Sequence, residues 1–229
     1  MLRFAPVLGC LFMIACSSPR GAGVTRADCL AIAESYRAHR WHPGPANILH
    51  GPDPDGVQVD TPDTSYQKPG AVAGWWVPGQ VNEGVPYQWG GFATLEQFDQ
   101  EIAAGKAAGD VYTQEKRRLL DAAVSRHATG IDCSGFISRC WRLPHSYSTR
   151  ELAGLCTPLP SWEALQPGDI LNIWNSHAIL FGGWEDAGHR RLIGYEAGVP
   201  PHWLVVRHPI ETEKLKGLGF TPLRYRRMR

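Results

Sequence analysis

The sequence predicts an α+β domain with helices packed on one antiparallel sheet. Helical patterns fill the chain to about residue 141. After "LQPGD" (165–169) come short runs rich in β-branched and aromatic residues, parted by Gly or Pro. Helices first and strands afterwards favour segregated layers over alternating βαβ units. In 229 residues, an apolar fraction of 43% and nine tryptophans suffice for a core, while 18 prolines and 25 glycines exclude a plain helical bundle. The formal charge of +1 excludes the basic excess of a nucleic-acid binder.

The first 15 residues read as a signal peptide. Arg3 precedes an apolar run from Phe4 to Ala15, far shorter than the roughly 20 residues that cross a bilayer. The run ends in "MIAC", which resembles the lipobox of bacterial lipoproteins, with Cys16 as the lipidated residue. "VLGC" at Cys10 would leave too short an apolar run, and a simple secretory signal is the other alternative. Cleavage removes Arg3 and leaves 22 basic against 22 acidic residues, so membrane attachment falls to acyl chains. The expected location is the cell envelope, anchored by lipid, with a serine after Cys16 leaning towards an outer membrane. Outside the cytoplasm disulfides persist. If Cys133 stays free, at most one bridge forms among Cys29, Cys140 and Cys156, with Cys140–Cys156 the shortest in sequence. No CxxC pair marks a structural zinc site, and no metal or cofactor is expected.

Residues 16–26 read as a tether and 27–70 as an N-terminal helix followed by a long ordered arm. "RADCLAIAESYRAHRW" has helical spacing at Leu30, Ala33, Tyr36 and Arg37, ended by "HPGP". Residues 44–70 are rich in Pro, Asp and Gly. Residues 71–229 form the main domain. "TLEQFDQEIAAGKA" and "TQEKRRLLDAAVSRHA" predict two helices within 92–130, their charges on a solvated face. A third spans Cys133 to Trp141, with Cys133, Phe136, Ile137, Cys140 and Trp141 on one stripe. "ILNIW", "HAILFGGW", "RLIGYEAG" and "WLVVRHPI" predict strands.

The chemistry centres on "GIDCSGFISRCW" (130–141). A helix N-terminus favours the thiolate, the attacking form of cysteine. Asp132 is the expected cap, and Ser134 with Gly135 would let backbone approach a substrate closely. A buried structural thiol is the alternative, so a base is needed. Of nine histidines, His177 alone begins a strand. The other eight, His208 among them, read as surface residues in loops, at helix ends or beside Pro, Gly or Arg. With residues 185–188 as a hairpin turn, Glu196 falls directly opposite His177, where Cβ atoms lie about 5 Å apart. Glu196 would orient the ring, unless a bulge at Gly182-Gly183 shifts the register. Glu185 and Asp186 are rival acids at the turn tip.

Four motifs in order, "GVPYQWGG" (84–91), "DCSGFISR" (132–139), "LQPGDIL" (165–171) and "HAILFGGW" (177–184), resemble those of the NlpC family, papain-like cysteine peptidases mostly of bacterial cell walls. The resemblance spans roughly residues 75–205. It implies a papain-like α+β fold with the nucleophile at a helix N-terminus, Cys133 as nucleophile and His177 as base. It also implies an oxyanion site shared by the Tyr87 hydroxyl and the Cys133 N–H. The family's third polar residue is commonly histidine, where this chain has Glu196. The chain departs again in placing about 40 residues between "YQWGG" and the nucleophile, able to roof the cleft or to pack outside it. Trp75 and Trp76 would stack on sugar or fill core.

The function these features lead us to expect is hydrolysis of an amide bond in the peptide part of peptidoglycan. Resemblance points to a bond between D-glutamate and a diamino acid. A thiol acyltransferase of permuted topology would place its histidine before its cysteine, the reverse of the order here. A catalytically silent binding or scaffold lipoprotein is the remaining alternative.

Overall fold

The computed structural model describes residues 23–198 and 202–229, so the expected signal peptide, Cys10 and Cys16 lie outside the described residues. Thr25 caps helix α1 (Arg26–Arg37) by accepting the Asp28 N–H, and the helix buries Cys29, Ala33 and Tyr36. The predicted stripe is therefore displaced by one residue at its start. Arg37 faces outward and pairs with Glu34 and Glu83. The predicted tether to residue 26 is also too long. Val24 is buried, and the main chain of Arg229 bonds to those of Val24 and Arg26, which fixes the chain before the helix begins.

Strand β1 (Arg40–Trp41) pairs with β4 (Asn82–Glu83), and between them β2 (His50–Pro52) and β3 (Gln58–Asp60) form a hairpin. The arm is thus ordered, and its aspartates are part of the reason. Asp53 accepts from the Asp55 and Val57 N–H groups, and Asp63 accepts from that of Ser65, closing turns of the arm's own backbone. Trp76 is fully buried and its indole N–H bonds the Ala108 carbonyl, so it fills core, while half-buried Trp75 donates to the Trp203 carbonyl. Between Phe92 and Gly130 lie α2 (Leu95–Ala103), β5 (Ala107–Ala108), α3 (Gln114–Leu119) and β6 (Ala128–Thr129), with β5 and β6 parallel. The charges here are not all solvated. Lys116 is buried and pairs with buried Asp110 at 2.7 Å, because a carboxylate enclosed beneath α3 needs a counter-charge.

Cys133 opens helix α4 (Cys133–Cys140), followed by α5 (Thr149–Gly154) and β7 (Cys156–Pro158). Then come β8 (Ile170–Ile173), β9 (His177–Trp184), β10 (Arg191–Ala197), β11 (Val205–Glu211), α6 (Thr212–Gly217) and β12 (Thr221–Tyr225). The four predicted strands are present, and β7 and β12 extend their sheet at the far edge. All six are antiparallel, in the order β11-β10-β9-β8-β12-β7.

Alternate residues of these strands point to opposite faces. On one face Ala178, Leu180, Tyr195 and Ala197 share a core with Cys29, Phe136 and Ile137 from α1 and α4. On the other, Ile179, Phe181, Leu192 and Ile210 pack with Leu215 of α6 and with Phe220. Complete burial of Phe136 and Ile137 stabilises the seating of α4 by about 1.5–3 kcal/mol each. The fold is therefore α+β, built on a six-stranded antiparallel sheet with six helices among the described residues. Cys29, Cys133, Cys140 and Cys156 are all free thiols, so the Cys140–Cys156 bridge that sequence separation favours is not formed, and Cys140 shares the core with Cys29.

Candidate active site

Asp132 caps α4 as its sequence suggests. Its carboxylate accepts from the Gly135 N–H at 2.5 Å and from the Ser134 hydroxyl at 2.9 Å, leaving the Cys133 N–H without an acceptor among the described residues. Burial raises the Asp132 carboxyl above its ordinary range against these bonds. Gly135 does not face the cleft. A Cβ there would overlap the Gly91 carbonyl, so its role is to let the "YQWGG" segment lie directly on the helix. Gly91 also accepts the Asp132 N–H at 3.0 Å, which ties that motif to the first turn of α4.

His177 enters from the start of β9. Its Nε2 lies 2.7 Å from Glu196 Oε2, which leaves Nδ1 for the Cys133 sulfur. The direct cross-strand pairing read from the sequence is not what brings them together. Leu192 opposes Trp184 and Ile193 opposes Gly183, but Gly194 opposes Phe181 and Tyr195 opposes Leu180. Gly182 is the extra residue of a bulge. The register beyond it places Glu196 opposite Ile179, two residues from His177 and on the same face. Without the bulge, Glu196 would oppose Leu180 and point to the other face from His177.

Electrostatics follow from this geometry. Burial disfavours a charged His177, but the neighbouring sulfur of Cys133 and the Glu196 carboxylate outweigh it and raise the ring to about 10. Burial likewise disfavours a charged Glu196, yet its bonds to His177 and His208 win and hold it below the ordinary carboxylate range. His177 and Glu196 thus form a paired cation and anion beside the Cys133 sulfur. His208 was expected at the surface, and its side chain is 37% exposed. Its Nε2 nevertheless lies 2.5 Å from Glu196 Oε1. Applying the cross-strand rule once more, to β10 and β11, would have found it: Glu196 pairs with Val206, and His208 follows two residues on. The rival acids are engaged elsewhere, Glu185 with Arg191 and Asp186 with its own turn.

Tyr87 lines the same cleft as Cys133 and His177, a cavity of about 340 Å³. Burial, reinforced by the nearby sulfur, pushes its phenol well above the ordinary range, so the hydroxyl keeps its proton and remains a donor. Gly198, at φ +85°, lets the chain pass flat against this ring, where a Cβ would overlap its edge. Neighbouring Gln88 is structural, its amide donating to the Ser125 and Ala128 carbonyls.

The segment between "YQWGG" and Cys133 forms part of the cleft wall, with Tyr112, Arg117, Leu120 and Val124 lining it. Arg117 reaches across to the Asn175 carbonyl in the turn before His177. Asp53, Asp55 and His127 bring possible metal-binding atoms within 4.8 Å of one another. Their oxygens are already occupied, Asp53 by Ser125 and its own turn and Asp55 by Arg126 and His127, so the cluster acts as a brace. Among the described residues no helix is long and apolar enough to cross a membrane. No protein-family model, curated protein or solved structure matches the chain.

Proposed function

We propose that the protein is a papain-like cysteine hydrolase of NlpC type that cuts an amide bond in the peptide part of peptidoglycan. The observation that carries the chemistry is the cleft shared by Cys133 and His177, with the far nitrogen of the ring held by buried Glu196. In that arrangement Sγ of Cys133 attacks the carbonyl carbon, and the oxyanion that forms takes hydrogen bonds from Tyr87 and the Cys133 N–H. The His177 imidazolium gives its proton to the departing amine as the C–N bond breaks, leaving a thioester on Cys133. Water then attacks the thioester with His177 as base, and the thiolate–imidazolium pair returns.

The substrate class rests on the four ordered motifs, not on the cleft. The same resemblance supports a catalytic region at 71–229, the choice of a D-glutamate–diamino acid bond and, with the "MIAC" sequence, a lipid anchor at Cys16 facing the wall. Mass spectrometry of peptidoglycan fragments incubated with the protein tests the reading. Wild type is expected to release stem-peptide products, and Cys133→Ala to release none while keeping its thermal unfolding midpoint. Equal product from both would refute the nucleophile. No product from wild type, with Cys133 inert to iodoacetamide, would favour a silent scaffold.

A further inference from the structure

Glu196 is a buried carboxylate on β10, next to the edge strand of the sheet, and each of its oxygens meets one imidazole: Oε2 that of His177 at 2.7 Å and Oε1 that of His208 at 2.5 Å. The three side chains run diagonally over adjacent strands β9, β10 and β11 on the face covered by α6. The residue paired with His208 is Gly194, and Glu196 pairs with Val206, so His208 and Glu196 lie on the same face two positions apart. His177 lines two cavities, the cleft with Cys133 and a second of about 640 Å³ shared with Glu196 and His208.

A buried carboxylate needs a donor for each oxygen, and its terminal torsion is broad, so one donor alone does not fix its plane. Among the described residues Oε1 has no partner other than His208. We infer that His208 is a positioning residue for the Cys133–His177 pair, acting through Glu196 by holding its second oxygen so that the first stays on the imidazole. This rests on reading Cys133 and His177 as the reacting pair. Around His208 the charged and titratable neighbours are Glu196 and Arg191 from β10, Glu211 from β11, Lys214 from α6 and His177 from β9. Glu196 is the one in hydrogen-bond contact with it. His208→Ala therefore leaves Oε1 bare and frees the carboxylate to turn from His177.

The test needs no substrate. In protein labelled with ¹⁵N at histidine, long-range proton–nitrogen correlation spectra across pH report the titration and tautomer of His177. Wild type should hold the imidazolium to about pH 10. His208→Ala should lower that midpoint by about one unit or more, a tenfold loss of preference for the charged ring. His208→Gln, which keeps an N–H for Oε1, should restore most of it. His208→Leu, filling the ring's space without a donor, gives the same reading if the alanine variant does not fold. A wild-type midpoint near the ordinary histidine value overturns the reacting pair itself. A raised wild-type midpoint that neither donor-free variant moves overturns the role of His208 alone.

Discussion

Helix α4 begins and ends with cysteine, and its two ends have opposite chemistry. Cys133 opens the helix where unpaired N–H groups point outward, lines the cleft and faces an imidazole. Cys140 closes it in the core, fully buried, with its thiol against that of Cys29. Burial pushes the Cys140 thiol well above its ordinary range, and the contact with Cys29 adds to the shift. The side chains are identical. What differs is the end of the helix dipole and the presence of a cation, and these decide whether sulfur can become a nucleophile.

The largest expected contrast is in alkylation of the native protein. Iodoacetamide should modify Cys133 directly, whereas Cys140 should react only through unfolded molecules, a fraction on the order of 10⁻³ or less. A rate ratio of about 10³ or more, read by peptide mass spectrometry, is the outcome expected; comparable rates would erase the distinction. Next comes Glu196→Gln, which keeps the shape of the side chain and removes its charge. Turnover of stem peptides should fall by about 10³–10⁴, the scale seen when the orienting acid of a triad becomes an amide. The sign of the pH effect follows from His177. A ring raised to about 10 stays charged below that pH and loses its proton above it, so wild-type kcat/KM should decline through about pH 10. In Glu196→Gln that alkaline limb should move down. Tyr87→Phe should cost less, about 10²-fold in kcat or about 3 kcal/mol of barrier, with Cys133 alkylation unchanged. A slower alkylation there would mean that the hydroxyl supports the thiol and not the oxyanion.

Much of this arrangement was legible because it is local. The cap, the dipole end and the apolar stripe of α4 lie within ten residues, and β9 spans the residues its composition marks. Helix α5 is also legible in sequence, since Ser148 and Glu151 form a capping box at the spacing that signals one. Pairwise and tertiary features were harder. The bulge at Gly182 depends on how β9 and β10 settle against one another, and by shifting the register one residue it brings Glu196 onto the same face as His177. His208 sits beside Arg207 and Pro209, a context that reads as surface, and only its neighbour across the sheet gives it meaning. Lys116 looked like one more solvated cation because its partner Asp110 is enclosed by residues distant in sequence.

The smallest effect separates packing from reactivity at the two helix ends. Cys140→Ala removes a sulfur surrounded by core, and a cost of about 1–2 kcal/mol in urea unfolding is expected from lost contacts and the void left behind. Cys133→Ala, at a cleft wall where space is already open, should cost less than that. Alkylation should show the reverse pattern. In Cys140→Ala the rate at Cys133 should stay within about twofold of wild type, because the cap, the helix dipole and His177 are untouched. If that rate instead fell with stability, the reactivity of the N-terminal sulfur would depend on how firmly the core end is packed. The two ends would then be one coupled unit, and the contrast between them would be a property of the whole helix.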